Sequence, residues 1–145
     1  MIPEAVATFA SGTFFGAALY INVVEQPARL SCGTPLAVTE WRPSYKRGTL
    51  IQAPLAVVGT VAAFTSWWVH RNAAWLIGGL IFLSVVPFTL TIVFPTNEKL
   101  ESQHLDLRSE EAGHLLRRWG RLHAIRTILS GIAFLVFLSR LVASH

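Results

Sequence analysis

The sequence predicts an all-α integral membrane protein: a four-helix bundle in which two cytoplasmic loops carry short helices. Of its 145 residues, 52% are hydrophobic and only 14% are charged, a balance outside the range of ordinary soluble domains. Three runs without any charge cover residues 5–24, 48–70 and 72–97, and each is long enough for the roughly 20 residues that cross a bilayer. We therefore interpret residues 1–145 as a single membrane domain.

The first three spans are expected at about residues 3–24, 50–70 and 73–95. The first is interpreted as a helix rather than a secretory signal, because Glu4 replaces the basic start of such signals and no small-residue cleavage site follows. In the first loop, Thr34 followed by Pro35 indicates a short helix that reaches about Trp41 and is ended by Pro43. Pro95 is expected to close the third span.

The fourth helix is expected to start near residue 110 and to cross the membrane over about 117–142. Ser109 followed by Glu110 and Glu111 is typical of a helix start, because acidic side chains favour the positive end of the helix dipole. The uncharged run 127–139 is too short to span alone. The span must therefore include His123 and Arg126 at or inside the membrane edge.

The basic residues predict the orientation of the bundle. Lys and Arg are concentrated in the loops after the first and third spans, and they are scarce on the opposite side. By the positive-inside rule both loops face the cytoplasm and both termini are non-cytoplasmic, in the endoplasmic reticulum membrane of a fungus or the inner membrane of a bacterium. The formal net charge of +4 reflects this topology, so we expect a lipid bilayer and no nucleic acid as partner.

Polar residues cluster at the cytoplasmic ends of the spans. Glu25 closes the first span, Gln52 opens the second, Asn97 closes the third, and His123 and Arg126 enter the fourth. Up-and-down packing makes these ends neighbours in space. Charged groups inside a bilayer cost roughly 2.5–3.5 kcal/mol each unless they are paired. This cluster is therefore the candidate functional site.

Two interpretations of the cluster stay open. In the structural one, Glu25 and Arg126 form a buried ion pair that only ties the first helix to the fourth. In the functional one, the titratable imidazole of His123 acts beside a fixed cation. The second interpretation gains weight from aromatic side chains that flank the same end and are suited to hold a flat ligand: Trp41, Tyr45 and Trp119.

The sequence gives little indication of a metal or cofactor site. The five histidines contain no i, i+4 pair and no HExxH motif, and the single Cys32 cannot form an internal disulfide. Glycine-rich nucleotide motifs and haem-attachment motifs are also absent from the sequence. A metal held by Glu25, Asn97 and His123 stays open as an alternative, but we expect none.

Four segments of the chain, in order and with similar spacing, resemble the anthrone oxygenase family of small four-helix membrane proteins. They are residues 23–30, 41–54, 87–100 and 116–126. The family pattern has a histidine where this chain has Gln26, so we expect no catalytic role for Gln26.

The resemblance implies oxidation of an anthrone, a tricyclic polyketide, to the anthraquinone by dioxygen as co-substrate, with no other cofactor. For this chemistry we assign His123 as base and Arg126 as oxyanion stabiliser, with Glu25 or Asn97 as the orienting partner. The flat aromatic ligand would lie against Trp41, Tyr45, Trp119 and Gln52.

Other classes of function also fit the composition. The chain could be a non-enzymatic accessory or scaffold subunit of a larger membrane complex that binds quinone, pigment or lipid, and a homo-oligomer stays open. A transporter fits less well, because the sequence contains neither an inverted repeat nor a central acidic pair.

Overall fold

The computed structural model describes residues 1–143, and the predicted four-helix bundle is confirmed in them. Four helices cover Ile2–Ser31, Thr34–His70, Ala73–Glu101 and Glu110–Ala143, and each is long and apolar enough to cross a membrane. Each helix packs against the next in the chain, and the fourth closes the bundle against the first. The protein is thus a multi-pass membrane bundle with a square arrangement of antiparallel helices.

The two ends of the bundle differ in their connections. One end, here called the Cys32 end, carries the tight turn at Cys32 and Gly33 and the loop 102–109. Gly33 has a φ of 85°, a left-handed backbone conformation that only glycine adopts at no steric cost. The opposite end, here called the Met1 end, carries Met1 and the turn at Arg71 and Asn72.

The second helix is longer than predicted. It runs without a break over Thr34–His70 and contains both Pro43 and Pro54, so the prediction that Pro43 ends a short helix is wrong. A proline inside a helix costs about 3 kcal/mol. Tertiary packing offsets this cost, because Val38 and Trp41, one turn before the proline, are completely buried in a hydrophobic cluster at the Cys32 end.

The first and third helices each contain a short π-helical segment, at Ile21–Glu25 and Thr89–Val93. Each segment ends two residues before a proline, Pro27 or Pro95. A wider turn relieves the clash between a proline ring and the carbonyl four residues earlier. The third helix therefore continues to Glu101, and the prediction that Pro95 closes it is wrong.

Aromatic side chains fill the centre of the bundle towards the Met1 end. Phe14 meets Phe82 edge to face at a centroid distance of 5.4 Å, and Trp75 stacks on Phe137 at 5.3 Å. The rings link all four helices directly or through the small residues between them.

At the Cys32 end the fourth helix starts at Glu110. Ser109 accepts a hydrogen bond from the backbone N–H of Ala112, so the predicted helix start is confirmed.

The close approach of the second and third helices generates a stability prediction. A Cβ atom at Gly59 would lie 2.7 Å from Cε1 of Phe82, whose ring is completely buried. We expect Gly59→Ala to lower the free energy of unfolding by about 1–3 kcal/mol, because the ring has no space to yield. Gly16→Ala is the matched control, since no atom lies within 4 Å of a Cβ there, and helix propensity favours alanine by up to about 1 kcal/mol. Thermal unfolding in detergent measures both; equal unfolding temperatures would contradict the tight contact.

Candidate active site

The structure places His123 in the interior of the bundle at the Cys32 end, with 1% of its surface exposed. Its Nδ1 lies 2.9 Å from Oδ1 of Asn22, which belongs to the π-helical segment of the first helix. The Asn22 amide nitrogen donates to the carbonyl of Gly120 at 3.1 Å, and the Thr127 hydroxyl donates to the same Oδ1 at 2.5 Å. His123 is therefore held by the first helix through Asn22.

Arg126 lies one turn after His123 and is also buried. Its guanidinium donates to Oε1 of Gln52 at 2.8 Å and lies 5.6 Å from the ring centroid of Phe14. Within residues 1–143, Nε of Arg126 and Nε2 of Gln52 are both buried without a hydrogen-bond partner. Both atoms belong to side chains that line the two cavities.

The predicted ion pair between Glu25 and Arg126 is wrong. Glu25 instead accepts from Arg29 at 2.6 Å and from the hydroxyl of Ser44 at 2.6 Å. Arg29 also pairs with Glu40 at 2.6 Å. The prediction ended the first helix at Glu25, whereas the helix continues to Ser31 and brings Arg29 next to Glu25 at i, i+4 spacing.

Aromatic rings connect this ion-pair network to His123. Trp41 stacks on Tyr45 at a centroid distance of 4.9 Å and meets Trp119 edge to face at 5.6 Å. Trp119 in turn lies 4.8 Å from the His123 ring, and the Arg29 guanidinium lies 5.8 Å from the Trp119 centroid. The predicted aromatic residues therefore form one continuous group that packs against the imidazole.

Two cavities adjoin these side chains. The smaller has a volume of about 20 Å³, enough for a water-sized molecule, and its wall includes His123, Trp119 and Arg29. The larger has a volume of about 230 Å³ and a mostly apolar wall from the second and third helices, with Phe14 of the first and Arg126 of the fourth. The cavities share four lining residues: Tyr45, Thr49, Gln52 and Arg126.

The structure separates three of the predicted site residues from these cavities: Glu25, Trp41 and Asn97 line neither wall. Trp41 is completely buried and lies behind Tyr45, outside either cavity wall. Asn97 is also completely buried, and neither its side-chain nitrogen nor its oxygen has a hydrogen-bond partner. Asn97 lines neither cavity and makes no hydrogen bond to His123 within residues 1–143. Asn22 occupies the orienting position that the sequence assigned to Glu25 or Asn97.

The histidines do not form a metal cluster in the described part of the chain. No group of three or more His, Cys, Asp or Glu side chains is arranged there to hold a metal ion. His70 contacts Glu4 at the Met1 end, whereas His123 lies at the Cys32 end. His145 lies outside the described residues. Glu25, which the sequence offered as a metal ligand with Asn97 and His123, is instead bound to Arg29 and Ser44.

The sequence placed Asn22 at this end of the bundle but did not predict that it contacts His123, nor that Arg29 is the partner of Glu25. A signal for both was present. Pro27 follows the end of the first apolar run by three residues, and a proline so placed is compatible with a helix whose preceding turn widens. A continued helix places Arg29 one turn after Glu25 and keeps Asn22 inside the bundle.

The arrangement combines a buried imidazole, a fixed cation with free donors and an apolar cavity beside them. A neutral imidazole can take a proton, and a guanidinium at the cavity wall can stabilise negative charge as it develops on an oxygen atom. Water is largely excluded by the apolar wall, which strengthens both effects. The site is therefore suited to proton abstraction from an apolar ligand that becomes an oxyanion.

Comparisons with known proteins identify the family of the chain. The model of the family "Anthrone oxygenase" matches residues 41–136. An anthrone oxygenase of Aspergillus fumigatus is 27% identical over 138 residues, which cover 88% of this chain and 86% of the relative. One of Cryptosporiopsis sp. is 28% identical over 130 residues, with 84% and 75% covered, and one of Claviceps purpurea is 26% identical over 139 residues, with 86% and 80% covered.

No solved structure matches the chain significantly. The family match includes most of the residues that build the two cavities, among them Tyr45, Gln52, Trp119, His123 and Arg126. It extends over more than half of the sequence. The chain therefore belongs to the anthrone oxygenase family of oxygenase enzymes.

Proposed function

We propose that the protein oxidises an anthrone to the anthraquinone with dioxygen, without a bound cofactor, and that His123 is the catalytic base. The observation that carries the proposal is that His123 lines the small cavity, while Arg126 lines both this cavity and the larger, apolar one. The curated relatives named above bear the name of this activity. An anthrone is flat and apolar, and its central methylene is acidic because the resulting enolate is conjugated with two aromatic rings.

The reaction begins with proton transfer. Nε2 of His123 takes one methylene proton, and the C–H electron pair enters the ring system to give the enolate. The negative charge is largely on the former carbonyl oxygen, where the free donors of Arg126 and Gln52 can bind it. A preorganised donor of this kind contributes roughly 10²–10³-fold to the rate of comparable reactions.

The enolate then reacts with dioxygen directly. It passes one electron to dioxygen, and the resulting radical and superoxide combine to form a C–O bond. The peroxide anion takes the proton from His123 and becomes a hydroperoxide. Loss of the second methylene hydrogen with cleavage of the O–O bond forms the new carbonyl and releases one molecule of water. One dioxygen is consumed for each anthraquinone and water, so atoms and electrons balance.

The larger cavity is proposed to hold the ring system. Its wall includes Ala53 and Ala56 of the second helix and Val85, Val86 and Leu90 of the third. Leu90 is 63% exposed on the outer face of the bundle, so the cavity lies close to the lipid. Its volume of about 230 Å³ is just below the roughly 300–1,000 Å³ of typical ligand sites. An apolar substrate dissolved in the bilayer can therefore approach between these two helices.

Replacement of the base tests the proposal directly. We expect His123→Gln to fold normally, because glutamine still provides a polar group opposite Asn22, and to lower kcat by about 10²–10⁴-fold because no base remains. The control is His104→Gln, which changes an exposed histidine in the loop 102–109. Anthraquinone formation by purified protein in detergent, corrected for spontaneous oxidation, gives the rate. A His123→Gln rate within a few-fold of the wild-type rate would remove His123 from the mechanism and favour a ligand-carrying accessory role.

A substitution that fills the larger cavity tests where the substrate binds. Ala53 lines the cavity but is exposed on the outer face, so Ala53→Phe is expected to leave the core intact. We expect kcat/KM to fall about tenfold or more because the phenyl ring occupies the space of the substrate. Val57→Phe, one turn further along the same face and outside this cavity, is expected to change kcat/KM less than twofold. Equal effects of the two substitutions would place the substrate elsewhere.

We further propose that the Cys32 end faces the cytoplasm and both termini face away from it, because the basic residues are concentrated at that end. Cys32 is free and exposed in the first turn, so it reports the orientation without any added label site. In intact bacterial cells that carry the protein in the inner membrane, a maleimide that cannot cross this membrane should label wild-type protein only after permeabilisation. The double variant Cys32→Ser, Arg71→Cys moves the thiol to the Met1 end and should be labelled at once. The reverse pattern would invert the topology.

A further inference from the structure

The Asn22 amide makes three contacts with the fourth helix, and they have unequal chemical requirements. Its nitrogen donates to the backbone carbonyl of Gly120 at 3.1 Å. Its oxygen lies 2.9 Å from Nδ1 of His123 and accepts from the Thr127 hydroxyl at 2.5 Å. A carbonyl can only accept a hydrogen bond, so it identifies the amide nitrogen of Asn22.

The opposite orientation of the amide is excluded by the same three partners. With nitrogen and oxygen exchanged, the Asn22 oxygen would face the carbonyl oxygen of Gly120, and two acceptors would be in contact without a proton between them. An unsatisfied buried polar atom typically costs about 1–3 kcal/mol. The Thr127 hydroxyl could adapt by rotation, but the carbonyl of Gly120 could not.

The protonation pattern of His123 follows from this orientation. Because the Asn22 oxygen accepts, Nδ1 of His123 must carry the hydrogen atom. A neutral imidazole has one N–H, so its other nitrogen, Nε2, has the free lone pair. Nε2, which does not contact Asn22, is therefore the nitrogen that can accept a proton. His123 lines the small cavity together with Arg126 and Tyr45.

We propose that Asn22 is a positioning residue that fixes His123 in the Nδ1–H tautomer and thereby makes Nε2 the base. The inference rests on the proposed function, because it specifies which nitrogen of His123 takes the substrate proton. In serine proteases an aspartate holds the catalytic histidine in the same way, and its replacement by asparagine lowers kcat by about 10⁴-fold because the tautomer is wrong. Here the asparagine directs its oxygen towards Nδ1 of His123, because its nitrogen is held by the carbonyl of Gly120.

The contacts of Asn22 fall on the widened turn of the first helix that precedes Pro27. Asn22 lies within the π-helical segment Ile21–Glu25, and such segments often occur at functional sites. The wider turn coincides with the amide's contacts to Gly120, His123 and Thr127 on the facing helix. The backbone of the first helix and the tautomer of His123 are therefore parts of one arrangement.

Nitrogen-15 NMR tests the inference without any activity measurement. The protein is labelled with ¹⁵N-histidine and held in detergent micelles, and the His123 signals are identified by their loss in His123→Gln. The wild-type protein should show a protonated Nδ1 and an unprotonated Nε2 at neutral pH. Asn22→Leu removes the acceptor, and we expect it to populate the Nε2–H tautomer. A wild-type spectrum with the hydrogen on Nε2 would overturn the inference.

Kinetics give the second readout. Asn22→Leu is expected to lower kcat by about 10²-fold or more with little change in KM, because the base is affected but the cavity is not. Asn22→Asp keeps an acceptor for Nδ1–H, so it should retain the wild-type tautomer and recover most of kcat per folded molecule, although its second oxygen opposes Gly120 and lowers the folded yield. Equal losses of kcat in the two variants, with the tautomer unchanged in both, would contradict the positioning role.

Asn72→Leu is the matched control for loss of an asparagine side chain. Asn72 caps the third helix at the Met1 end by accepting from the N–H of Ala74 at 2.9 Å, so its loss should lower stability while kcat stays within about twofold of wild type.

The proposed function and the proposed role of Asn22 can also fail separately. If no anthrone is oxidised but the Nδ1–H tautomer is seen and depends on Asn22, the proposed function is wrong and the role of Asn22 stands. If oxidation requires His123 but the hydrogen lies on Nε2, only the role of Asn22 is wrong.

Discussion

The buried guanidinium of Arg29 determines how the Cys32 end of the bundle is assembled. Its side chain is only 3% exposed and pairs with Glu25 of its own helix and Glu40 of the second. It also lies over the Trp119 ring of the fourth. Taking a charge out of water costs several kcal/mol, which only a complete set of partners offsets. The first, second and fourth helices are therefore held together around Arg29. This contact also fixes the position of Trp119, which packs on His123.

The fold class follows from composition and charge-free runs, because a bilayer allows few alternatives to a helix. Helix ends were harder to predict. Pro43 and Pro95 were assigned as breaks on local grounds, yet both lie inside continuous helices. Burial of Trp41 beside the first and a π-helical turn before the second offset the loss of one backbone hydrogen bond. Both compensations depend on neighbouring helices, which local sequence signals do not describe.

Sequence spacing predicted His123 beside Arg126, and the small cavity is lined by both together with Tyr45, Gln52 and Trp119, which the sequence also predicted for the site. The partners were harder to assign. Charge complementarity suggested that Glu25 binds Arg126. Glu25 instead pairs with Arg29, because a glutamate and an arginine four residues apart on one helix are neighbours on its surface. Asn97 was expected near His123 because it ends its span. Its position around the helix axis depends on the π-helical turn between Thr89 and Val93, which precedes Pro95 in the same way that the first helix widens before Pro27.

Under the proposed function, the position of the apolar cavity between the second and third helices also determines which substrate concentration controls the rate. A flat polyketide partitions strongly into lipid. Molecules that reach a cavity beside the lipid-exposed Leu90 therefore arrive from the bilayer rather than from water. The relevant quantity under the proposed function is then the mole fraction of substrate in the membrane rather than its molarity in water. Added lipid or detergent dilutes the substrate at this surface even when the total amount is constant, and the apparent affinity changes without any change in the protein.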